Sequence, residues 1–235
     1  MIAGNIKKIR ELIEKKAIES KRDPSEIRLI AVSKNFGKDD IITAYNEGVV
    51  DFGENKAQEL VSKYEELSTI NKKIVWHFIG VLQRNKVRFA VQTSEFIHSV
   101  DSLLLASEIN KRAGKINKIQ KILLEVNTSG EESKSGITEE SELKDLLKYC
   151  RELPNVKPVG LMTIAPYSDN KDIIKDSFRY LNQLKNELNA GENDLTELSM
   201  GMTNDFETAI EEGATMLRIG TAIFGERDYS KTWDE

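Results

Sequence analysis

Eight short apolar runs, each separated from the next by a segment of helical periodicity, follow one another along these 235 residues. They fall at 27–34, 49–54, 74–79, 96–100, 119–126, 159–164, 195–200 and 214–219. Each is too short for a stable helix, rich in Val, Ile, Leu or aromatic residues, and bounded by polar residues, glycine or proline. That pattern predicts strands buried on both faces. The intervening segments at 38–47, 55–67, 85–91, 102–113, 137–153, 171–188 and 204–212 read as helices, with Asn204 and Glu207 in capping-box spacing for the last. An amphipathic helix over 2–20 precedes them, with Ile2, Ile6, Ile9, Ile13 and Ala17 on one face.

Strict alternation of this kind predicts a (β/α)8 TIM barrel rather than an open doubly wound sheet, and no G-x-G-x-x-G follows the first strand. No linker, low-complexity stretch or internal repeat divides the chain, so one domain is expected over 1–235, with the extra N-terminal helix outside the barrel. The single cysteine, Cys150, excludes an intramolecular disulfide and, with a composition that is 31% charged, points to a reducing, cytoplasmic compartment. No apolar run approaches the ~20 residues that span a bilayer, and the first residues lack the apolar core of a secretory signal. A net charge of -5 with both signs interspersed argues against nucleic acid as a partner. Metal-ligand spacing and a Ser/His/Asp arrangement are both lacking.

In a barrel, chemistry sits at the C-terminal ends of the strands. The first strand ends in Lys34, whose amine, when partly desolvated, can attack an aldehyde and form a Schiff base. The loops after the last two strands carry Ser199, Gly201, Thr203, Gly220 and Thr221. Those are the positions where barrels frequently bind phosphate: glycine admits the backbone, hydroxyls donate, and N–H groups at a helix start favour an anion. The first and eighth strands are neighbours in a closed barrel, so amine and cradle can serve one small molecule. A phosphorylated aldehyde uses both, and pyridoxal 5'-phosphate (PLP) is such a ligand. His77 reads equally as a core histidine or a pocket residue, and His98 as structural.

The motifs Ala31-Val-Ser-Lys34, Phe52-Gly-Glu-Asn55, Trp76-His-Phe-Ile-Gly80, Ser133-Lys-Ser-Gly136, Gly160-Leu-Met-Thr163, Leu198-Ser-Met-Gly-Met202 and Arg218-Ile-Gly-Thr-Ala-Ile-Phe-Gly225 together resemble the PLP homeostasis proteins. These are single-barrel relatives of the alanine racemase N-terminal domain, of fold type III. The resemblance implies that Lys34 carries the cofactor as a Schiff base and that Arg218 faces the pyridine nitrogen. It further implies that Ser199, Gly201, Thr203, Gly220 and Thr221 surround the phosphate, and that Asn55 and His77 line the pocket. Which of Ser199 and Thr203 touches the phosphate is left open. Two positions depart from the family pattern: Lys56 replaces an aromatic residue, and Phe36 stands where a second lysine is often found.

The function so implied is to hold PLP, maintain vitamin B6 homeostasis and influence amino-acid and keto-acid balance, without turnover, as a monomer that passes PLP to apo-enzymes. A cationic arginine beside the pyridine nitrogen disfavours its protonation and weakens the cofactor as an electron sink. Racemisation also needs a second acid/base group opposite the lysine. Tyr167 is the one tyrosine near a strand end, since Tyr45, Tyr64, Tyr149 and Tyr180 fall in helices and Tyr229 in the tail. The alternative is a PLP-dependent amino-acid racemase or decarboxylase. Lys134, in the Ser-Lys-Ser-Gly loop, reads as a solvated loop lysine or a second, transient cofactor contact.

Overall fold

Alternating side chains along each strand sort the barrel into an inner and an outer layer. In β1 (Arg28–Val32), Ile30 joins Phe96, Leu123, Val159 and Met216 in an interior apolar cluster, while Ala31 belongs to the larger core beneath the helices. The other strands are β2 (Asp51–Glu54), β3 (Val75–Phe78), β4 (Phe96–Val100), β5 (Gln120–Glu125), β6 (Val156–Met162), β7 (Glu197–Ser199) and β8 (Met216–Ile219). The computed structural model, which describes residues 1–69, 73–131, 134–190 and 194–226, closes them in sequence order into a parallel barrel. Closure is made by β8 on β1, where Ile30 pairs with Arg218 and Ala31 with Ile219. The register therefore brings the C-terminal end of β1 beside that of β8.

The outer shell consists of α2 (Lys38–Asn46), α3 (Ala57–Ser68), α4 (Val87–Thr93), α5 (Leu103–Gly114), α6 (Glu140–Glu152), α7 (Lys171–Leu188), α8 (Phe206–Glu211) and the short α9 (Thr221–Phe224). The added helix α1 (Ile2–Glu19) buries Ile6, Ile9, Ile13 and Ala17 against α2, α8 and α9, and Asn5 donates to the Ile223 carbonyl at 2.9 Å. No helix among the described residues is long and apolar enough to cross a membrane.

Most boundaries differ by one to three residues from those read in the sequence, and three of the shifts have a visible cause. The helix expected from 137 begins at Glu140, because Ile137 pairs as an isolated bridge with Val126. Strand β6 begins at Val156 and contains Pro158, expected in the preceding turn; the ladder to β5 shifts register at Ile122/Leu123, beside the pair Ile122 and Pro158. A shifted ladder tolerates a residue that has no N–H to donate. The helix after β7 starts at Phe206 with Asp205 as its cap, rather than at Asn204, and the Asp205 carboxylate accepts from the Met202 amide.

Candidate functional site

Lys34 emerges half-buried from the end of β1, on a backbone held from both sides. Ser33, its predecessor, is fully buried; its hydroxyl donates to Glu54 Oε1 at 2.6 Å and its carbonyl accepts from Lys63 Nζ at 2.7 Å. Asn35, its successor, adopts a left-handed φ of 68° and donates its amide to Glu59 Oε1 at 2.6 Å. Lys63 also bonds Glu54 Oε1 and Glu59 Oε1, both at 2.7 Å. This cluster packs two carboxyls against one ammonium between β2 and α3, with no more than 1% exposure for any of the three. Burial pushes the Glu54 carboxyl up to about 7, against the opposing pull of Lys63. Phe36 continues the anchoring by stacking on Phe224 at 4.9 Å, which ties the loop after Lys34 to α9.

The last two strand ends lie against this loop. A Cβ placed at Gly220 would stand 3.3 Å from the Val32 carbonyl oxygen, so the β8 end approaches β1 two residues before Lys34. Gly201 turns the β7 loop at φ +92° and accepts from the Arg218 amide at 2.9 Å. Thr203 Oγ1 accepts from the Ala222 amide at 3.4 Å, joining that loop to α9, whose first residue, Thr221, is exposed. Gly201, Thr203, Gly220 and Thr221 thus gather at one junction. Ser199 lies apart from them: it is fully buried, and its Oγ accepts from Arg218 Nη1 at 2.6 Å and meets His98 Nδ1 at 2.9 Å inside the barrel. Of the two hydroxyls left open by the motif, Thr203 is on the rim and Ser199 beneath it.

Arg218 is only 5% exposed and donates through Nη2 to the Thr163 carbonyl at 2.8 Å. Burial lowers its pKa to about 10, with Asp205 and Glu125 opposing, so it is cationic at neutral pH. Glu125, at the end of β5, is pushed up to about 7 by burial and then by Asp101, with Arg218 pulling it down. His77 lies in the interior rather than at the rim, stacked on Phe96 at 4.7 Å and bonded to Asp51 and His98. Asn55 is half-buried at the rim, and its backbone sits so close to Gly80 that any Cβ there would overlap the Asn55 carbonyl. That close approach explains the glycine in Trp76-His-Phe-Ile-Gly80.

Sequence reading did not single out Asp51, Glu59 or Lys63. The available signal for Lys63 was its spacing from Leu60 and Leu67, which puts it on the apolar face of α3. Lys134 is engaged locally, donating to the Ala165 carbonyl at 3.0 Å and pairing with Glu131 at 2.9 Å. Tyr167 is 96% exposed. Ser133 and Tyr229 lie outside the described residues.

The family model for the alanine racemase N-terminal domain matches residues 2–228. A pyridoxal phosphate homeostasis protein of Aquifex aeolicus is 46% identical over 225 residues, covering 95% of this chain and 97% of the relative. A human protein of the same description is 38% identical, covering 96% of this chain and 86% of the relative. The solved structure of PipY from Synechococcus elongatus with PLP bound is 35% identical with a TM-score of 0.84, covering 96% of this chain and 100% of that one. An alanine racemase from Corynebacterium glutamicum shares the fold at a TM-score of 0.70 and 15% identity, with this chain spanning 60% of its length. The chain belongs to the pyridoxal phosphate homeostasis proteins, the family of single barrels related to the alanine racemase N-terminal domain.

Proposed function

We propose that this protein holds PLP reversibly on Lys34, keeps the free aldehyde low and releases it to apo-enzymes, without turning over amino acids. One observation carries the reading: Val32, the last residue of β1 and two residues before Lys34, lies against Gly220, beside the loop of Thr203 and next to the strand that carries the buried cation Arg218. An amine, an anion cradle and a guanidinium that can only donate suit a phosphorylated pyridine aldehyde whose ring nitrogen is unprotonated. Relatives with the homeostasis description, and the PLP-bound PipY, support it.

The cofactor supplies an aldehyde that condenses with a primary amine and loses water. The chain's own residues set the terms. Lys34 provides the amine from a backbone held at Ser33 and Asn35, so the root of its side chain is anchored before any ligand arrives. Thr203, Gly220 and Thr221 take the phosphate, and Gly201 allows the turn that presents them. Arg218, already bonded to Ser199 and Thr163, presents its remaining donors to the pyridine nitrogen and discourages protonation there. Asn55 contacts the ligand at the rim, while His77 acts from within the barrel.

Protein loaded with PLP absorbs in the visible range, is bleached by borohydride and yields no sustained product from a panel of L- and D-amino acids. Lys34→Ala is colourless. A colourless wild type that takes up no PLP contradicts the proposal. Glu125 favours a second reading, a racemase or decarboxylase, because a carboxyl near pH 7 beside Arg218 is suited to carry a proton. Steady interconversion of one amino acid, abolished by Glu125→Gln, would establish that reading instead.

A further inference from the structure

Arg218 terminates a line of hydrogen bonds that crosses the inside of the barrel. Its Nη1 donates to Ser199 Oγ at 2.6 Å, and Ser199 Oγ meets His98 Nδ1 at 2.9 Å. His98 Nε2 meets His77 Nδ1 at 2.9 Å, and His77 Nε2 meets Asp51 Oδ1 at 2.8 Å. Ser199, His98 and His77 are fully buried. Asp51 begins β2 at the opposite mouth, 3.8 Å from Arg28.

The two ends dictate where the protons lie. A carboxylate only accepts, so the His77 proton is on Nε2; a neutral His77 then accepts at Nδ1. His98 must therefore carry its proton on Nε2 and accept at Nδ1, and the donor there is the Ser199 hydroxyl. The guanidinium only donates, and Ser199 Oγ receives it. Every donor finds an acceptor. Protonating His77 as well would force His98 to donate to Ser199 and leave the Ser199 hydroxyl without an acceptor in the line. The facing charges are Arg28 beside Asp51, Glu197 on β7 toward His77, and Glu125 and Asp205 toward Arg218. Burial holds both imidazoles below their ordinary pKa.

We propose that Asp51, His77 and His98 are positioning residues for Arg218, forming a one-way line in a single tautomeric state that fixes the guanidinium and links its cofactor face to a carboxylate at the far mouth. The inference rests on the reading that Arg218 faces bound PLP. Its dipoles all point the same way and reinforce one another, so a break at Asp51 is felt at Arg218.

The chain has only two histidines, so nitrogen NMR of the full-length, 15N-histidine-labelled protein without cofactor reads both. Both are expected as the neutral Nε2–H tautomer over roughly pH 5.5 to 8.5, a span that includes the ordinary histidine pKa. Either imidazole in the Nδ1–H form, or titrating near its ordinary value, overturns the proposal whatever happens to PLP. In PLP-loaded protein, Asp51→Ala is expected to shift the pH midpoint of the visible band and to weaken PLP roughly tenfold, as for the loss of one charge-assisted hydrogen bond. Asp51→Asn keeps an acceptor and restores the tautomers and most of the affinity, whereas Lys121→Ala at the same mouth changes neither. An Asp51→Ala protein with wild-type midpoint and affinity overturns the proposal. A wild type that shows the expected tautomers but takes up no PLP overturns the cofactor reading instead, and the two failures are thereby told apart.

Discussion

Lys63 is carried into the interior by the apolar stripe of α3, where it bonds Ser33, Glu54 and Glu59 and steadies the backbone on both sides of Lys34. Removing the ammonium leaves two carboxyls buried together, so Lys63→Met should cost about 3 to 5 kcal/mol in urea unfolding, while the exposed Lys56→Met stays within about 0.5 kcal/mol of wild type. Glu125 gives a pH dependence with a definite sign. Its folded pKa of about 7 lies above the ordinary 4.5, so between those values the native state binds more protons than the unfolded chain. Stability from this group is therefore full below about pH 4.5 and is lost as pH rises toward 7, by on the order of 2 to 3 kcal/mol. Unfolding midpoints measured along that range should fall less steeply in Glu125→Gln. The place of Lys34 just past the C-terminal end of the first strand was legible in the sequence from the apolar run before it, although the strand stops at Val32 rather than at the lysine. Lys63 was not, because a Glu and a Lys four apart on a charge-rich segment read as a solvated pair until the barrel wall is in view. Ser199 shows the same limit: its strand was legible, but whether its hydroxyl points to the rim or below it depends on where the strand stops.

Among the elements, strand identities were plain, and several boundaries were set by contacts that no local pattern carries. Ile137 leaves its helix to bridge Val126, and Pro158 stays inside β6 because the ladder to β5 slips beside it. Asp205 rather than Asn204 holds the N-cap position of α8, and its carboxylate bonds back to the Met202 amide in the loop before the helix. That loop carries the proposed phosphate contact Thr203, and Gly201 turns it. With φ at +92° and only 2.6 Å between a Cβ there and the Ala209 Cβ, Gly201→Ala meets both backbone strain and overlap. It should destabilise the fold by roughly 1 to 3 kcal/mol and loosen phosphate at the β7 junction, read as a higher PLP dissociation constant and a lower urea midpoint. Thr203→Val, which keeps the volume and removes the hydroxyl, should weaken PLP with little change in midpoint.

Across the whole molecule, the order β1 to β8 followed from alternation alone, because eight parallel strands joined by helices have few ways to hide all their edges. Closure of β8 on β1 then unites residues from the two ends of the chain: Lys34 comes from the first strand, and Thr203, Arg218 and Gly220 from the last two. The interior line from Asp51 to Arg218 was invisible in the sequence, since its members are scattered over five strands and its opening at the N-terminal mouth is not where barrel chemistry is sought. The central proposal is that one lysine, Lys34, receives the cofactor. Borohydride reduction of PLP-loaded protein, followed by peptide mapping, tests this directly: one phosphopyridoxyl group is expected, on Lys34, and label on Lys134 or another lysine with Lys34 unmodified overturns the assignment.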